Sequence, residues 1–290
     1  MIISNIIGGL GNQMFQYAAG KSLSINKNEE FKIDIRNFKE YFRKFELNTV
    51  FDCEINFASK NDLKDILSWQ KNLFFQKLLK MKQFKFLRKK NFIVEPHFHY
   101  WEDVNKLKKN LYLYGYWQSE KYFIKNEKFI RKNFLFKQPL INKNFIISNE
   151  IKNSNSVSLH IRRSDYLTDK KNSFIGVCSI DYYKKAISII SSKITNPVFF
   201  FFSDEIEWVK KNFTNNLNFI FVDHNDKQKS HFDLQLMSLC RHNIIANSSF
   251  SWWGAWLNTN ANKIVIAPQK WFQSGSMISK DIIPNSWLQI

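Results

Sequence analysis

Short apolar runs alternate along the chain with segments whose apolar positions recur every three or four residues, a strand–helix rhythm from end to end. Residues 1–7 (MIISNII) predict a buried strand, residues 8–13 a glycine-rich turn, residues 14–24 a helix and residues 31–35 a second strand. Strand, tight turn, helix and strand in that order open an α/β fold. Residues 60–92 predict mostly helix, with lysines threaded among Leu73, Phe74, Phe75, Leu78, Phe84 and Phe86. Residues 112–117 predict a strand that runs into a helix from about Ser119. A second series begins near residue 154, with strands over 156–161, 198–202, 219–222, 243–246 and 263–267. Helices over 181–191, 206–213, 231–240 and 250–257 separate them. Continuous apolar strands alternating with helices predict a parallel sheet covered on both faces. The polar run 148–156 divides the chain into a first domain over 1–150, with a basic helical insertion at about 60–92, and a second over 151–290.

The 290 residues are 44% hydrophobic and 17% aromatic, a globular rather than a disordered composition. The formal charge of +18 suits nucleic acid, an anionic membrane or a phosphate-bearing substrate. Most of that charge is lysine spread along the chain, and no recognised nucleic-acid module accompanies it, so we expect no nucleic-acid partner. The basic segment 69–90 is either a peripheral contact with an anionic membrane or a plain solvated helical face. Only seven arginines occur, and two of them, Arg162 and Arg163, are adjacent. Three scattered cysteines, Cys53, Cys178 and Cys240, form no CxxC and fit a reducing cytoplasm. The first residues lack the basic start and clean apolar stretch of a signal peptide.

Two segments hold the candidate chemistry. His160-Ile161-Arg162-Arg163-Ser164-Asp165-Tyr166 follows a strand, where open α/β sheets bind ligands. Adjacent guanidinium groups repel unless an anion or a carboxylate lies between them. Asp165 would hold one while the other faces a diphosphate, or the cluster simply braces a loop. Asn247-Ser248-Ser249-Phe250 joins another strand to a helix, so backbone N–H groups and the positive end of the helix dipole meet there. The plain alternative is an ordinary serine N-cap. No Asp-x-Asp occurs, so Arg162 and the helix start must neutralise any bound phosphate without a metal. His97 and His99 make an incomplete metal site in an aromatic connector.

Five ordered blocks resemble the bacterial α-1,2-fucosyltransferases of glycosyltransferase family eleven: GGLGNQMFQYAAG (8–20), YGYWQSEKYF (114–123), HIRRSDY (160–166), FFSDE (201–205) and DLQLMSLCRHNIIANSSFSWWGAWL (233–257). The resemblance implies a GT-B-like α/β fold, two Rossmann-like domains facing each other across a cleft. It implies inverting, metal-independent transfer of L-fucose from GDP-β-L-fucose to a galactose-containing oligosaccharide or lipid-linked glycan, through O2 of galactose. It also implies site residues. Arg162 grips the GDP phosphates, with Arg163 beside it in a more structural part. His160 lies toward guanosine, Asp233 reads guanine, and Asn247, Ser248, Ser249 and Phe250 form the phosphate turn. Gly9, Gly11, Asn12 and Gln13 lie on the fucose and acceptor side. Asp165 or Asp169 would serve as general base. Another linkage or another GDP-sugar stays open.

Overall fold

The computed structural model describes residues 1–40, 43–168, 175–214, 218–226, 228–273 and 278–290, apart from the side chains of Glu40, Asp165 and Thr168. The chain forms two compact units, Met1–Lys137 with Lys280–Ile282, and Gln138–Ser279 with Ile283–Ile290.

The first unit holds a sheet of strands β1 (Ile2–Asn5), β2 (Phe31–Asp34), β3 (Phe92–Val94) and β4 (Leu111–Tyr114). Its order is β2-β1-β4-β3, with every pair parallel. All four residues of β1 are buried, as a strand covered on both faces requires. Helices α1 (Leu10–Lys27), α2 (Leu47–Val50), α3 (Lys60–Leu67), α4 (Leu73–Leu79) and α5 (Glu127–Asn133) belong to this unit. A reciprocal capping box between Ser59 and Asp62 starts α3, whose Leu63, Ile66 and Leu67 pack with Ile3, Phe92 and Tyr112. The expected strand at 112–117 ends at Tyr114, and Trp117 takes a φ of 56°. In place of a helix from Ser119 there are two 3-10 turns before α5.

The second unit holds strands β5 (Asn155–Ile161), β6 (Pro197–Ser203), β7 (Phe219–Phe221), β8 (His242–Ile244), β9 (Val265–Ala267) and β10 (Leu288–Gln289). The order is β10-β9-β8-β5-β6-β7, again all parallel. Helices α6 (Asn142–Lys152), α7 (Ser164–Thr168), α8 (Ile180–Lys193), α9 (Ile206–Asn212), α10 (Ser230–Leu239) and α11 (Ser249–Leu257) accompany it. Val157, Leu159, Ile161, Phe199, Phe201, Ile244 and Ile266 build its core with Tyr183 and Ile190 of α8. Trp252, Trp253 and Trp256 of α11 are buried against one another. A Cβ at Gly254 would lie 3.0 Å from Met237 Cβ, so glycine lets α11 pack closely against α10.

The division between units falls at Lys137/Gln138 rather than at 150/151. The polar run taken as a boundary is the end of α6 and the start of β5. Helix α6 buries only Asn144, Ser148 and Ile151, too thin an apolar stripe to announce itself in the sequence.

Candidate active site

In the second sheet β6 and β7 extend to one side of β5, and β8, β9 and β10 to the other. The strand order therefore reverses between β5 and β8, and the crevice beyond their carboxyl ends is where such sheets bind ligands. Leu159 pairs with Ile244 across this junction. Arg162 and Asn247 each follow three residues later, so the two candidate segments leave the sheet side by side. Their contacts agree. The Arg162 guanidinium carbon lies 5.8 Å from the Tyr166 ring centroid, and the Tyr166 hydroxyl donates to the Asn247 carbonyl at 3.2 Å. The His160 ring stands 5.8 Å from that of Phe250.

The two arginines are held by the carboxylates at the end of β6. Ile161 pairs with Ser203, which sets Asp204 beside Arg162. Arg162 Nε is 3.3 Å from Asp204 Oδ2, whose side chain is only 8% exposed. Asp204 also accepts from the amides of Arg163 and Ser164, at 3.0 and 3.1 Å, and from the Ser164 hydroxyl. Arg162 and these donors keep the Asp204 carboxyl below the usual carboxylate range against the opposing effect of burial. Arg163, given the more structural part above, turns to other partners. Its Nε lies 3.0 Å from Glu205 Oε2, and its guanidinium stacks 3.7 Å from the Trp208 ring centroid. Asp204 and Glu205 of the FFSDE block each hold one of the two guanidinium groups. Asp169 and the Asp165 side chain lie outside the described residues.

His160 is buried, its Nδ1 has no hydrogen-bond partner among the described residues, and burial with the Arg162 charge holds its pKa far below normal. It is a neutral imidazole at physiological pH.

Each turn residue takes a distinct part. The Asn247 amide donates to the carbonyls of Ile175, Gly176 and Trp271 at 3.0–3.2 Å, tying two loops to the end of β8. Ser248 is the N-cap, its hydroxyl accepting from Phe250 N at 3.3 Å. Ser249 and Phe250 are half-exposed at the first turn of α11, the end that presents unsatisfied amides and the positive dipole. The capping and anion-site readings of this turn are therefore compatible. Asp233 sits half-buried in the first turn of α10, which begins at the same edge of the sheet. Asn225 Nδ2 donates to Asp233 Oδ1 at 2.7 Å, and Asn225 pairs reciprocally with Asn144 of α6. Desolvation raises the Asp233 carboxyl to about 7. Sequence reasoning missed Asn144 and Asn225, which stand out only once α6 is placed.

The first sheet reverses between β1 and β4. Gly8 turns the chain after β1 with φ at 85°, a conformation only glycine adopts cheaply, and Gly9 is the N-cap of α1. Gln13 is fully buried, donating to the Gly8 and Lys44 carbonyls and accepting from Glu46 N, so its amide faces protein. Gly11 is buried beside it. Asn12 is half-exposed, and its Oδ1 accepts from Gln118 Nε2 at 2.8 Å. Glu95, just past β3, accepts from the amides of Tyr116 and Trp117 at 2.7 and 2.9 Å, and burial pushes its carboxyl up to about 7. Neither the Glu95 contacts nor the Asn12–Gln118 pair was legible in the sequence. His97 and His99 stack with ring centroids 3.5 Å apart, and among the described residues no group of three or more His, Cys, Asp or Glu could hold a metal ion.

A family model described as Glycosyl transferase family 11 matches residues 1–290. The Escherichia coli O-antigen biosynthesis glycosyltransferase WbnK is 37% identical, covering 99% of both chains. An Escherichia coli alpha-1,2-colitosyltransferase is 35% identical, covering 100% of this chain and 99% of its own. Among solved structures, NodZ alpha-1,6-fucosyltransferase soaked with GDP-fucose aligns with a TM-score of 0.54 at 13% identity, covering 88% of this chain and 91% of that one. That likeness concerns the fold, two parallel α/β units along one chain. With a family match from the first residue to the last, the chain belongs to glycosyltransferase family 11 and is a glycosyltransferase.

Proposed function

We propose that this glycosyltransferase moves L-fucose from GDP-β-L-fucose to a glycan hydroxyl, O2 of a galactose, with inversion to an α-1,2 linkage and without a metal ion. The observation on which this rests is the meeting of Arg162 with the first turn of α11 at the strand-order reversal of the second sheet. The bond from C1 to the β-phosphate oxygen breaks, and its electron pair stays on the phosphate. The acceptor oxygen bonds C1 from the opposite face, and its proton passes to solvent water. Arg162 and the α11 amides face the charge that grows on the departing phosphate, so they stabilise the transition state more than the bound donor. Asp233 offers a carboxylate to the two N–H groups of the guanine edge. Asn12 and Gln118 of the first unit present amides suited to sugar hydroxyls, which supports an acceptor held by that unit.

A second reading has its own support: the full-length relative that transfers colitose, which is fucose without the 3-hydroxyl. A site that hydrogen-bonds a substrate hydroxyl rejects the analogue lacking it by about 10⁴-fold. We therefore expect GDP-fucose to be used, and GDP-colitose and GDP-mannose not, when each is incubated with lactose in excess EDTA and the products are read by mass spectrometry. Transfer from GDP-colitose alone would establish the second reading. Loss of transfer in EDTA would overturn the metal-independent mechanism.

Asp233 gives a pH-dependent prediction. A carboxyl raised to about 7 is protonated below that pH and then offers one acceptor fewer to guanine. GDP affinity should fall as pH drops through 7. Inosine diphosphate, which has the same phosphates and lacks the 2-amino group, should show less of that fall. Asp233→Asn should weaken GDP about tenfold or more and narrow the preference for GDP over inosine diphosphate. An unchanged preference would remove Asp233 from the guanine site.

A further inference from the structure

From Ile66 to Val94 the chain has no acidic residue and eight basic ones. The structure shows that this segment is folded and holds large apolar side chains in solvent. Phe86 is 81% exposed, Phe74 65% and Trp69 50%, with Leu78 and Met81 also exposed. Trp69, Phe74 and Phe75 form an edge-to-face cluster with centroids 5.4 and 5.7 Å apart. Beneath them the backbone is fastened. The Gln70 amide, itself buried, donates to the Leu87 carbonyl at 2.7 Å and accepts from Lys89 N at 3.1 Å. Arg88 donates to the carbonyls of Leu79, Lys80 and Met81. Lys80 turns inward to the Tyr114 hydroxyl at 2.8 Å. Two of the eight cations thus serve the scaffold, while Lys77, Lys82, Lys85, Lys89 and Lys90 are exposed among the apolar side chains.

A soluble surface gains nothing from aromatic rings held in water by a hydrogen-bonded frame, unless something covers them. The charge decides what does. A second copy would set lysines against lysines, which is repulsive. A nucleic acid would suit the lysines and leave Leu78 and Met81 without an apolar environment. An anionic bilayer meets both needs, phosphate headgroups for the lysines and acyl chains for the rings. We infer that residues 69–90 are the face by which this protein docks on an anionic lipid membrane. Docking there places the enzyme beside acceptors tethered to lipid, and it is independent of which sugar is transferred.

Vesicle flotation tests this, using phosphatidylcholine alone and phosphatidylcholine with about one third phosphatidylglycerol. The unaltered protein should float with the anionic vesicles only, and less as salt rises. Lys77→Glu/Lys82→Glu/Lys85→Glu should weaken that binding about a hundredfold. Phe74→Ser/Phe86→Ser should weaken it about tenfold or more. Lys184→Glu/Lys185→Glu/Lys193→Glu, an equal charge change on exposed positions of α8, should keep most of it. All three variants should transfer sugar to a soluble acceptor at the unaltered rate. The inference is overturned if the unaltered protein stays with the soluble fraction, if the α8 variant loses as much as the first, or if the phenylalanine variant loses nothing.

Discussion

Replacing Arg162 with alanine is expected to lower kcat/KM about a thousandfold and leave the melting temperature close to that of the unaltered protein. The guanidinium is only partly buried, 24% exposed, and its partner Asp204 keeps three other donors when it is removed. Little folding energy is therefore at stake. The phosphate, by contrast, loses its fixed positive charge at the moment negative charge accumulates on it. Lysine should restore little, because a point charge on a flexible stem does not keep the fork that Asp204 and Tyr166 orient. Arg163→Ala is the contrasting arm. It removes stacking on Trp208 and the pair with Glu205, so stability should fall by about 1–2 kcal/mol while turnover stays within about tenfold. Turnover rates and melting curves of the two variants, measured side by side, check both statements. If Arg163→Ala abolished turnover and Arg162→Ala did not, the two roles would be reversed.

Asp204→Asn is expected to damage both stability and rate. One carboxylate there receives two backbone amides, a hydroxyl and a guanidinium, which fixes the start of α7 and the direction of Arg162 together. An amide accepts through one oxygen only and turns a donor toward the others. The expected loss is about 2–3 kcal/mol of stability and about a hundredfold in kcat/KM. The pH dependence has a definite sign. Because the folded carboxyl is held low, its stabilisation is present at neutral pH and is lost as pH falls through that lowered value. The variant should lack this acid-side loss, measured as melting temperature against pH. Equal acid sensitivity in both proteins would place the effect on another group.

The two segments proposed to hold the donor phosphates were legible because each is contiguous in sequence. HIRRSDY ends one strand and ANSSF ends another, and ligand sites lie beyond carboxyl ends of parallel strands. What holds those residues was not legible. Asp204 and Glu205 come some forty positions after the arginines, and only the pairing of Ile161 with Ser203 brings them together. Helix α6 escaped notice because its inner face is largely polar, so the Asn144–Asn225–Asp233 network escaped with it. In the first unit the glycine turn and α1 were plain, whereas β3 is three residues long and ended a stretch read as helix. Gln13 shared a motif with Asn12 yet faces inward, since a period of one residue turns a helical side chain by about 100°.

The account stands on a GDP site formed by Arg162 and the start of α11 within one unit. Titration calorimetry with GDP in EDTA measures it directly, comparing the unaltered chain with Arg162→Ala. One GDP per chain, bound about a hundredfold more weakly by the variant, is the predicted result. Absence of binding heat in the unaltered chain, or equal affinity in both, would contradict it.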